Sequence, residues 1–243
     1  MINLLLPKVH PERRLAIYLA LIAGYVDAYT YLASKIYVSF MSGNTTATGV
    51  NVGQGKPGAA TLAALAILFF LLGSIAGPWL ANSKLRNPRK VLFGLIAVAL
   101  AIIIVGALTL KTGLPAAALI CVLAFAMALM NSTHTHIGAE QLSLTFVTGL
   151  LNKVGTHLAL AIRRAPLPGA QGPWDTHVTR ARSLASVWVG FLAGAIIAAA
   201  VNAHFGVWTL LPPCLILAAL ALASNGERVT ATAATQPAGT KPN

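Results

Sequence analysis

The sequence predicts an all-α integral membrane protein with six spanning helices and two short re-entrant helical segments, arranged as a three-plus-three inverted repeat. Three observations predict this fold. The 243 residues are 57% hydrophobic and only 9% charged, with a mean hydropathy of +0.76, whereas soluble domains carry roughly 25% charged residues. The long apolar runs lack strand-like alternation, which favours helices over a barrel. Finally, two polar segments share one pattern.

These polar segments define the repeat. Residues 38–53 are rich in Ser, Thr, Asn and Gly and carry no charge. They are too short and too polar for a spanning helix, which needs about 20 mostly apolar residues. Residues 39–43 read Ser-Phe-Met-Ser-Gly, and residues 145–149 read Thr-Phe-Val-Thr-Gly, an offset of 106 residues (39 to 145). The same offset aligns Gly49 with Gly155. We therefore expect two related halves, one around each polar segment.

The predicted first membrane repeat covers residues 15–110 and follows a basic leader at 1–14. Tyrosines near the end of the first span suit a membrane–water interface. A Gly-Lys-Pro-Gly turn after the polar segment breaks the helix, and Gly73 and Gly77 in the second span have the spacing that lets helices approach closely. The three predicted spans are 15–33, 59–81 and 91–110, with a basic loop at 84–90.

The predicted second membrane repeat covers residues 111–225 and is followed by a disordered tail at 226–243, which is rich in Thr, Ala and Pro. Pro212 and Pro213 should start or kink the last helix. The predicted spans are 115–131, 184–202 and 207–223, with the second polar-patterned segment at 142–162 and the longest loop at 163–182.

The charges predict the topology. If both polar segments crossed the membrane, the basic leader and the 84–90 loop would face opposite sides, which the positive-inside rule disfavours. If both are re-entrant, the leader, the two basic loops and the tail all lie inside. The expected location is the bacterial inner membrane, with both termini cytoplasmic. This distribution explains the net charge of +12, because basic residues in the short segments between spans set the orientation in the membrane; the expected partner is the lipid bilayer. No nucleic-acid partner is expected, because no basic face with interleaved aromatics exists outside the spans.

The run 23–28, Ala-Gly-Tyr-Val-Asp-Ala, followed by Phe-Met-Ser-Gly-Asn-Thr at 40–45, resembles the YoaK-like bacterial membrane protein family (domain of unknown function 1275). Further matching runs are Phe-Leu-Leu-Gly at 70–73, Met-Asn at 130–131 and Thr-Gly at 148–149. The resemblance implies a bacterial inner-membrane protein with about six helices and implies no substrate. The chain departs from the family at Asn131–His134, where an Asn-Ala type of sequence is commoner.

Asp27 and Lys153 are the two charges predicted deep in apolar context. A carboxylate inside an apolar helix is costly and is a functional candidate by default. The alternatives for Asp27 are that it caps the first re-entrant helix or lies in an outer vestibule. Lys153 could pair with Asp27, attract an anion, or extend its ammonium group to the inner membrane surface.

Polar residues at the turns of the two re-entrant segments complete the predicted substrate site. Irregular backbone at membrane depth is tolerated only when buried in protein or lining a water cavity, and helix N-termini there would present amides to an anion or polar solute. The alternative is that Gly and Thr only permit tight helix packing. The site residues, besides the two charges, are Ser42, Gly43, Asn44, Thr45, Asn131, Thr148, Gly149 and Asn152.

No enzyme, metal or cofactor is expected. The sequence lacks the hydrolase, zinc-protease and phosphate-loop motifs. His134, His136 and Glu140 have no recognised metal-ligand spacing, and the two cysteines resemble small buried hydrophobes. The sequence therefore predicts a transporter or channel for a small polar or ionic solute, bound near the midplane where the re-entrant segments meet. The alternative is a non-transporting membrane scaffold or sensor. Solute, coupling ion and formation of a homo-oligomer stay open.

Overall fold

A computed structural model describes residues 11–110, 114–133, 135–137, 140–142, 147–170 and 172–224. Within these ranges the chain forms eight α-helices, one 3₁₀ helix and one two-stranded hairpin. The helices are α1 (Pro11–Ser34), α2 (Met41–Gly53), α3 (Pro57–Ala81), α4 (Pro88–Thr109), α5 (Ala116–Asn131), α6 (Val147–Ile162), α7 (His177–Phe205) and α8 (Leu211–Ala223). The antiparallel strands are β1 (Thr135–Ile137) and β2 (Glu140–Leu142), and the 3₁₀ helix is Gly206–Leu210.

The chain is an α-helical membrane protein, as its composition predicts. Four helical stretches of the described ranges are long and apolar enough to cross a bilayer: Arg13–Ser34, Pro57–Ala81, Pro88–Thr109 and the 47-residue run His177–Ala223. The last run is about twice the length that one crossing needs. Gly206, with a φ of 52°, divides it into α7 and α8. α5 is apolar but shorter, at 16 residues.

Several predicted boundaries differ from the structure. α7 begins at His177 rather than at residue 184, because the Thr176 side chain accepts a hydrogen bond from the Thr179 N–H and caps the helix. The predicted start of the last span at 207 is a 3₁₀ turn, and α8 begins at Leu211 with prolines in its first turn, where a missing N–H costs nothing. The hairpin at 135–142 is not predicted by the sequence. The tail 226–243, most of the leader and His134 lie outside the described residues.

Two parallel helix pairs are packed through glycines. An added Cβ on Gly24 would collide with the carbonyl of Phe191, and one on Gly194 with the carbonyl of Leu21, so α1 and α7 touch backbone to backbone. In the second pair, α3 with α5, a Cβ on Gly73 would lie 2.6 Å from the carbonyl oxygen of Phe125. Both pairs are parallel: Gly190 and Gly194 meet Ile17 and Leu21 in that order, and Gly73 and Gly77 meet Phe125 and Leu129 in that order. Small residues at such seams permit the close approach.

The other helices complete the bundle. α2 packs on α3, α6 packs on α7, and α4 packs on α8. The last pair is antiparallel, since the Cys214 thiol donates to the Ala97 carbonyl at 3.4 Å while the Asn87 amide donates to the Ser224 carbonyl at the helix ends. Fully buried apolar side chains of α1, α4 and α5 fill the centre, among them Leu19, Phe93, Ile96, Leu123 and Met127.

Basic residues tie several helix ends together. Arg13 Nη2 donates to Ser186 Oγ at 3.4 Å, which joins the first turns of α1 to those of α7. Arg89 Nε donates to the Thr133 carbonyl at 3.0 Å, which joins the start of α4 to the end of α5. With the Asn87–Ser224 contact, the start of α4 also meets the end of α8.

Candidate functional site

Asp27 holds the segment that leads into α2. After α1 the chain turns at Lys35, whose φ is 59°, and runs back along the helix. Oδ1 of Asp27 then accepts hydrogen bonds from the backbone N–H groups of Val38 at 2.7 Å and Ser39 at 3.0 Å. The Asp27 side chain is 5% exposed. The carboxylate therefore satisfies two buried donors in the segment that leads into α2, and these donors lie before the helix rather than in its first turn.

The first turn of α2 is braced by its own side chains. Asn44 is buried, and its Nδ2 donates to the Tyr37 carbonyl at 2.6 Å. The ring of Phe40 lies against Gly43, where any Cβ would collide with it. The Tyr37 ring packs edge-on to Phe40, with centroids 5.7 Å apart, and stacks on Tyr31 at 4.6 Å. These contacts hold the first turn of α2 in position relative to the end of α1.

A cavity of about 420 Å³ lies where both repeated motifs meet. The Ser-Phe-Met-Ser run at 39–42 lines one side and the start of α6, at 147–148, lines another. Between them lie the C-terminal halves of two helices. α3 contributes Phe70, Ser74 and Pro78, and α5 with the residue after it contributes Ala128, Asn131 and Ser132. The two repeated segments of the sequence, 106 residues apart, therefore line the same cavity.

The cavity is polar without being charged. Its described lining includes the hydroxyl groups of Ser39, Ser42, Ser74, Ser132 and Thr148, the amide of Asn131, and no Asp, Glu, Lys or Arg. Ser39 is 6% exposed, and its side chain lies within hydrogen-bonding reach of the Asp27 carboxylate. Pro78 lies inside α3 and has no N–H to donate to the carbonyl of Ser74. The lining thus carries both donors and acceptors for a polar solute.

The predicted site residues are distributed around this cavity. Ser42, Asn131 and Thr148 line it. Asp27, Gly43 and Asn44 support the start of α2 from behind the lining. Thr45 is exposed, and its hydroxyl donates back to the Met41 carbonyl. On α6, Asn152 is exposed, while Gly149 and Lys153 are partly exposed and are not among the lining residues of this cavity.

Sequence reasoning missed Ser39, Ser74 and Ser132 as lining residues. Ser39 belongs to the repeated motif, so the pattern itself held a signal for it. Ser74 stands four residues before Pro78, and this spacing inside an apolar helix leaves a carbonyl without its usual donor. Nothing in the sequence marks Ser132, because its place depends on how the end of α5 packs against Gly77 of α3.

A second buried polar cluster joins α6 to α7. Nδ1 of His157 lies 2.9 Å from Nδ1 of His177, and both side chains are buried. Two residues before His177, Asp175 accepts two hydrogen bonds from Arg180, at 2.9 Å to Oδ1 and 2.7 Å to Oδ2. His177 Nε2 also lies 3.4 Å from the Pro166 carbonyl. The cluster fixes the loop 163–176 on the helices.

Few features of the sequence indicated this cluster. His157 and His177 are 20 residues apart, across a loop rich in Pro and Gly. One local pattern could have indicated it: Asp175 and Arg180, of opposite charge, lie on either side of Thr176, which caps α7. A short Nδ1–Nδ1 contact requires that one ring donates a hydrogen bond and the other accepts it. The pair therefore forms a structural hydrogen bond between α6 and α7. Within the described ranges, no three His, Cys, Asp or Glu side chains are grouped as metal ligands.

Comparisons with known proteins agree with the membrane character of the chain. A family described as "Protein of unknown function (DUF1275)" matches residues 15–223. The chain is also similar to a UPF0700 transmembrane protein of Rhizobium meliloti (strain 1021), with 28% identity over 216 residues, which is 86% of each chain. No solved structure gives a significant match.

Proposed function

The chain belongs to the family described as "Protein of unknown function (DUF1275)", and from that premise we propose that it binds a small polar or ionic solute in the shared cavity and moves it across the membrane. One observation carries the proposal: the starts of α2 and α6 line the same polar space of about 420 Å³. Transporters commonly place substrate sites where interrupted helices of two repeats meet. A volume of this size accommodates a small molecule.

Helix pairing supports an inverted repeat as the frame for this site. If α1, α2, α3 and α4 correspond to α5, α6, α7 and α8, the pair α1–α7 maps onto α5–α3, and α2–α3 maps onto α6–α7. The pair α4–α8 maps onto itself. The offset of 106 residues also relates the first residues of α2 and α6, at 41 and 147. Each half would thus supply one short helix to the centre.

Helix directions support six crossings with the basic segments on one side. In that arrangement α1, α4 and α7 run outward, and α3, α5 and α8 run inward, which matches the parallel pairs α1–α7 and α3–α5 and the antiparallel pair α4–α8. α2 has 13 residues, so its start lies about 20 Å from the turn at 54–56. That distance reaches past the middle of a hydrocarbon core about 30 Å thick.

The test is to block the cavity and follow uptake. Ser74→Phe places a ring in the cavity, and Ile75→Phe places the same ring on the neighbouring residue, which is 62% exposed on the outside of α3. In a strain lacking the gene, uptake of a panel of polar solutes should be restored by the wild-type gene and by Ile75→Phe, but not by Ser74→Phe at equal membrane abundance. A panel that shows no solute dependent on the gene would favour the scaffold or sensor reading.

A further inference from the structure

We infer that Arg13 and Arg182, in the first turns of α1 and α7, form a binding site for the phosphate group of an anionic phospholipid. Neither residue belongs to the lining of the cavity, so this site is separate from the proposed solute site and needs no transport activity. The observation that carries it is a pair of like charges, held together by the parallel packing of two helices where a candidate membrane span begins at Arg13.

The register of the glycine seam brings the two arginines together. α1 and α7 run parallel, and Ile17 meets Gly190. Four residues earlier on both helices, Arg13 Nη2 donates to Ser186 Oγ at 3.4 Å. Arg182 precedes Ser186 by four residues and therefore lies on the same face of α7, one turn nearer its start. The guanidinium groups of Arg13 and Arg182 are near enough for their positive charges to repel each other directly.

The acidic side chains that the structure describes are engaged elsewhere. Asp27 accepts hydrogen bonds from the backbone before α2, and Asp175 is paired with Arg180. Arg13 donates to a neutral hydroxyl group, and Arg182 is exposed. A guanidinium group has several N–H donors in a planar fork that matches the oxygens of a phosphate group. A phosphate bound between the two arginines would relieve their repulsion and accept hydrogen bonds from both.

The surface beyond Arg182 favours a phospholipid as the source of that phosphate. Val189 and Ile196 follow Arg182 at intervals of seven residues and are 53% and 61% exposed. Two turns of an α-helix hold about seven residues, so these three side chains lie along nearly the same face of α7. A cationic residue followed by an exposed apolar stripe matches a phosphate followed by acyl chains. Basic pockets between helices at the membrane surface bind anionic headgroups in this way.

The experiment compares two lipids that differ in net charge. The purified full-length protein in a neutral detergent receives increasing amounts of dioleoyl phosphatidylglycerol, or of dioleoyl phosphatidylcholine, which has the same acyl chains and no net charge. A third series receives sodium phosphate, which has no acyl chains. A ligand that binds only the folded state raises the unfolding midpoint in a saturable way. We expect this rise with phosphatidylglycerol and not with phosphatidylcholine or sodium phosphate.

Matched removals of charge connect the effect to the arginine pair. Arg13→Gln and Arg182→Gln should each raise the half-saturating amount of phosphatidylglycerol roughly ten- to a hundredfold, as expected for a lost hydrogen bond to a charged group. Arg182→Gln decides the matter if Arg13→Gln does not fold, because Arg182 is exposed. Arg14→Gln is the control: Arg14 is exposed next to Arg13, its loss changes the net charge equally, and it should have a much smaller effect.

Glu12 supplies one more variant, because it precedes Arg13 in the sequence. Glu12→Gln removes a negative charge beside the site, so the half-saturating amount of phosphatidylglycerol should fall or stay the same, and a rise would contradict direct pairing of the arginines with the lipid. Three other results would overturn the inference. They are an equal effect of phosphatidylcholine, an equal effect of sodium phosphate, and a loss of affinity in Arg14→Gln as large as that in Arg182→Gln.

Discussion

At the scale of single residues, the fold near the cavity depends on one carboxylate. Asp27 satisfies two backbone N–H groups that belong to no helix. Those donors are buried, and water does not replace Asp27 at a site that is 5% exposed. The Asp27 side chain of α1 therefore determines the position of Ser39 and, through it, where α2 begins.

The first prediction separates the charge of Asp27 from its role as an acceptor. Asp27→Asn keeps an oxygen that can accept both N–H groups, and an amide is less costly than a carboxylate in apolar surroundings. Asp27→Ala leaves both donors unpaired, at about 1–3 kcal/mol each. We expect near-normal yield and unfolding midpoint in detergent for Asp27→Asn and a clear loss for Asp27→Ala.

A second comparison tests the pairing alternative that the sequence left open. If Asp27 offsets the charge of Lys153, Asp27→Asn should lower the yield, and adding Lys153→Met should restore it. If the carboxylate acts through the backbone of 38–39 alone, the Lys153 change should make no difference to either Asp27 variant. Equal stability of Asp27→Ala and the wild type would contradict the anchoring role itself.

At the scale of helices, the seam between α1 and α7 is made by glycines. Gly194→Leu would force the side chain into the carbonyl of Leu21, and overpacking of this kind costs about 1–3 kcal/mol or more. Gly94 on α4 has nothing within 4 Å of an added Cβ, so Gly94→Leu is the matched control and should be neutral or slightly stabilising, because leucine favours a helix more than glycine does. Thermal unfolding in detergent measures both. A Gly194→Leu protein as stable as the control would contradict the packed seam.

The junction of α6 and α7 gives another prediction at this scale. Arg180 and Asp175 form a buried ion pair whose side chains are 9% and 3% exposed. Arg180→Met leaves a buried carboxylate uncompensated, which costs about 3–5 kcal/mol, whereas changing both residues to apolar ones of similar volume is often near neutral. We expect faster protease cleavage within 163–176 for Arg180→Met and recovery when Asp175→Leu is added. Continued rapid cleavage in the double variant would show that the loop depends on more than this pair.

At the scale of the whole molecule, orientation in the membrane is the decisive prediction. In a background without Cys121 and Cys214, single cysteines at Arg86, Ala170 and Lys56 probe three turns. The first two should react with an impermeant maleimide only from the cytoplasmic side, because the positive-inside rule predicts that the basic segments face the cytoplasm, and the third only from the outside. Reaction of positions 86 and 170 from opposite sides would exclude the inverted repeat.

Local features of the structure could be predicted from the sequence, whereas contacts between distant residues could not. Hydropathy predicted the membrane class, and the motif at 39–43 with its copy at 145–149 indicated where short helices begin. Which atoms Asp27 binds was not predictable, because that depends on the turn at Lys35 and the return of the chain along α1. The contact of His157 with His177 also needed α6 and α7 to be packed side by side. Long-range placement, rather than element type, was what the sequence lacked.

The parallel pairs have a consequence for biogenesis. Both glycine seams, α1–α7 and α3–α5, join an element of the first 110 residues to one made later. While the ribosome is still translating residues 116–205, the small-residue faces of α1 and α3 have no protein partner and are open to lipid or to the insertion machinery. Separate expression of the two halves should therefore yield two proteolysis-prone fragments, and their co-expression a protected complex.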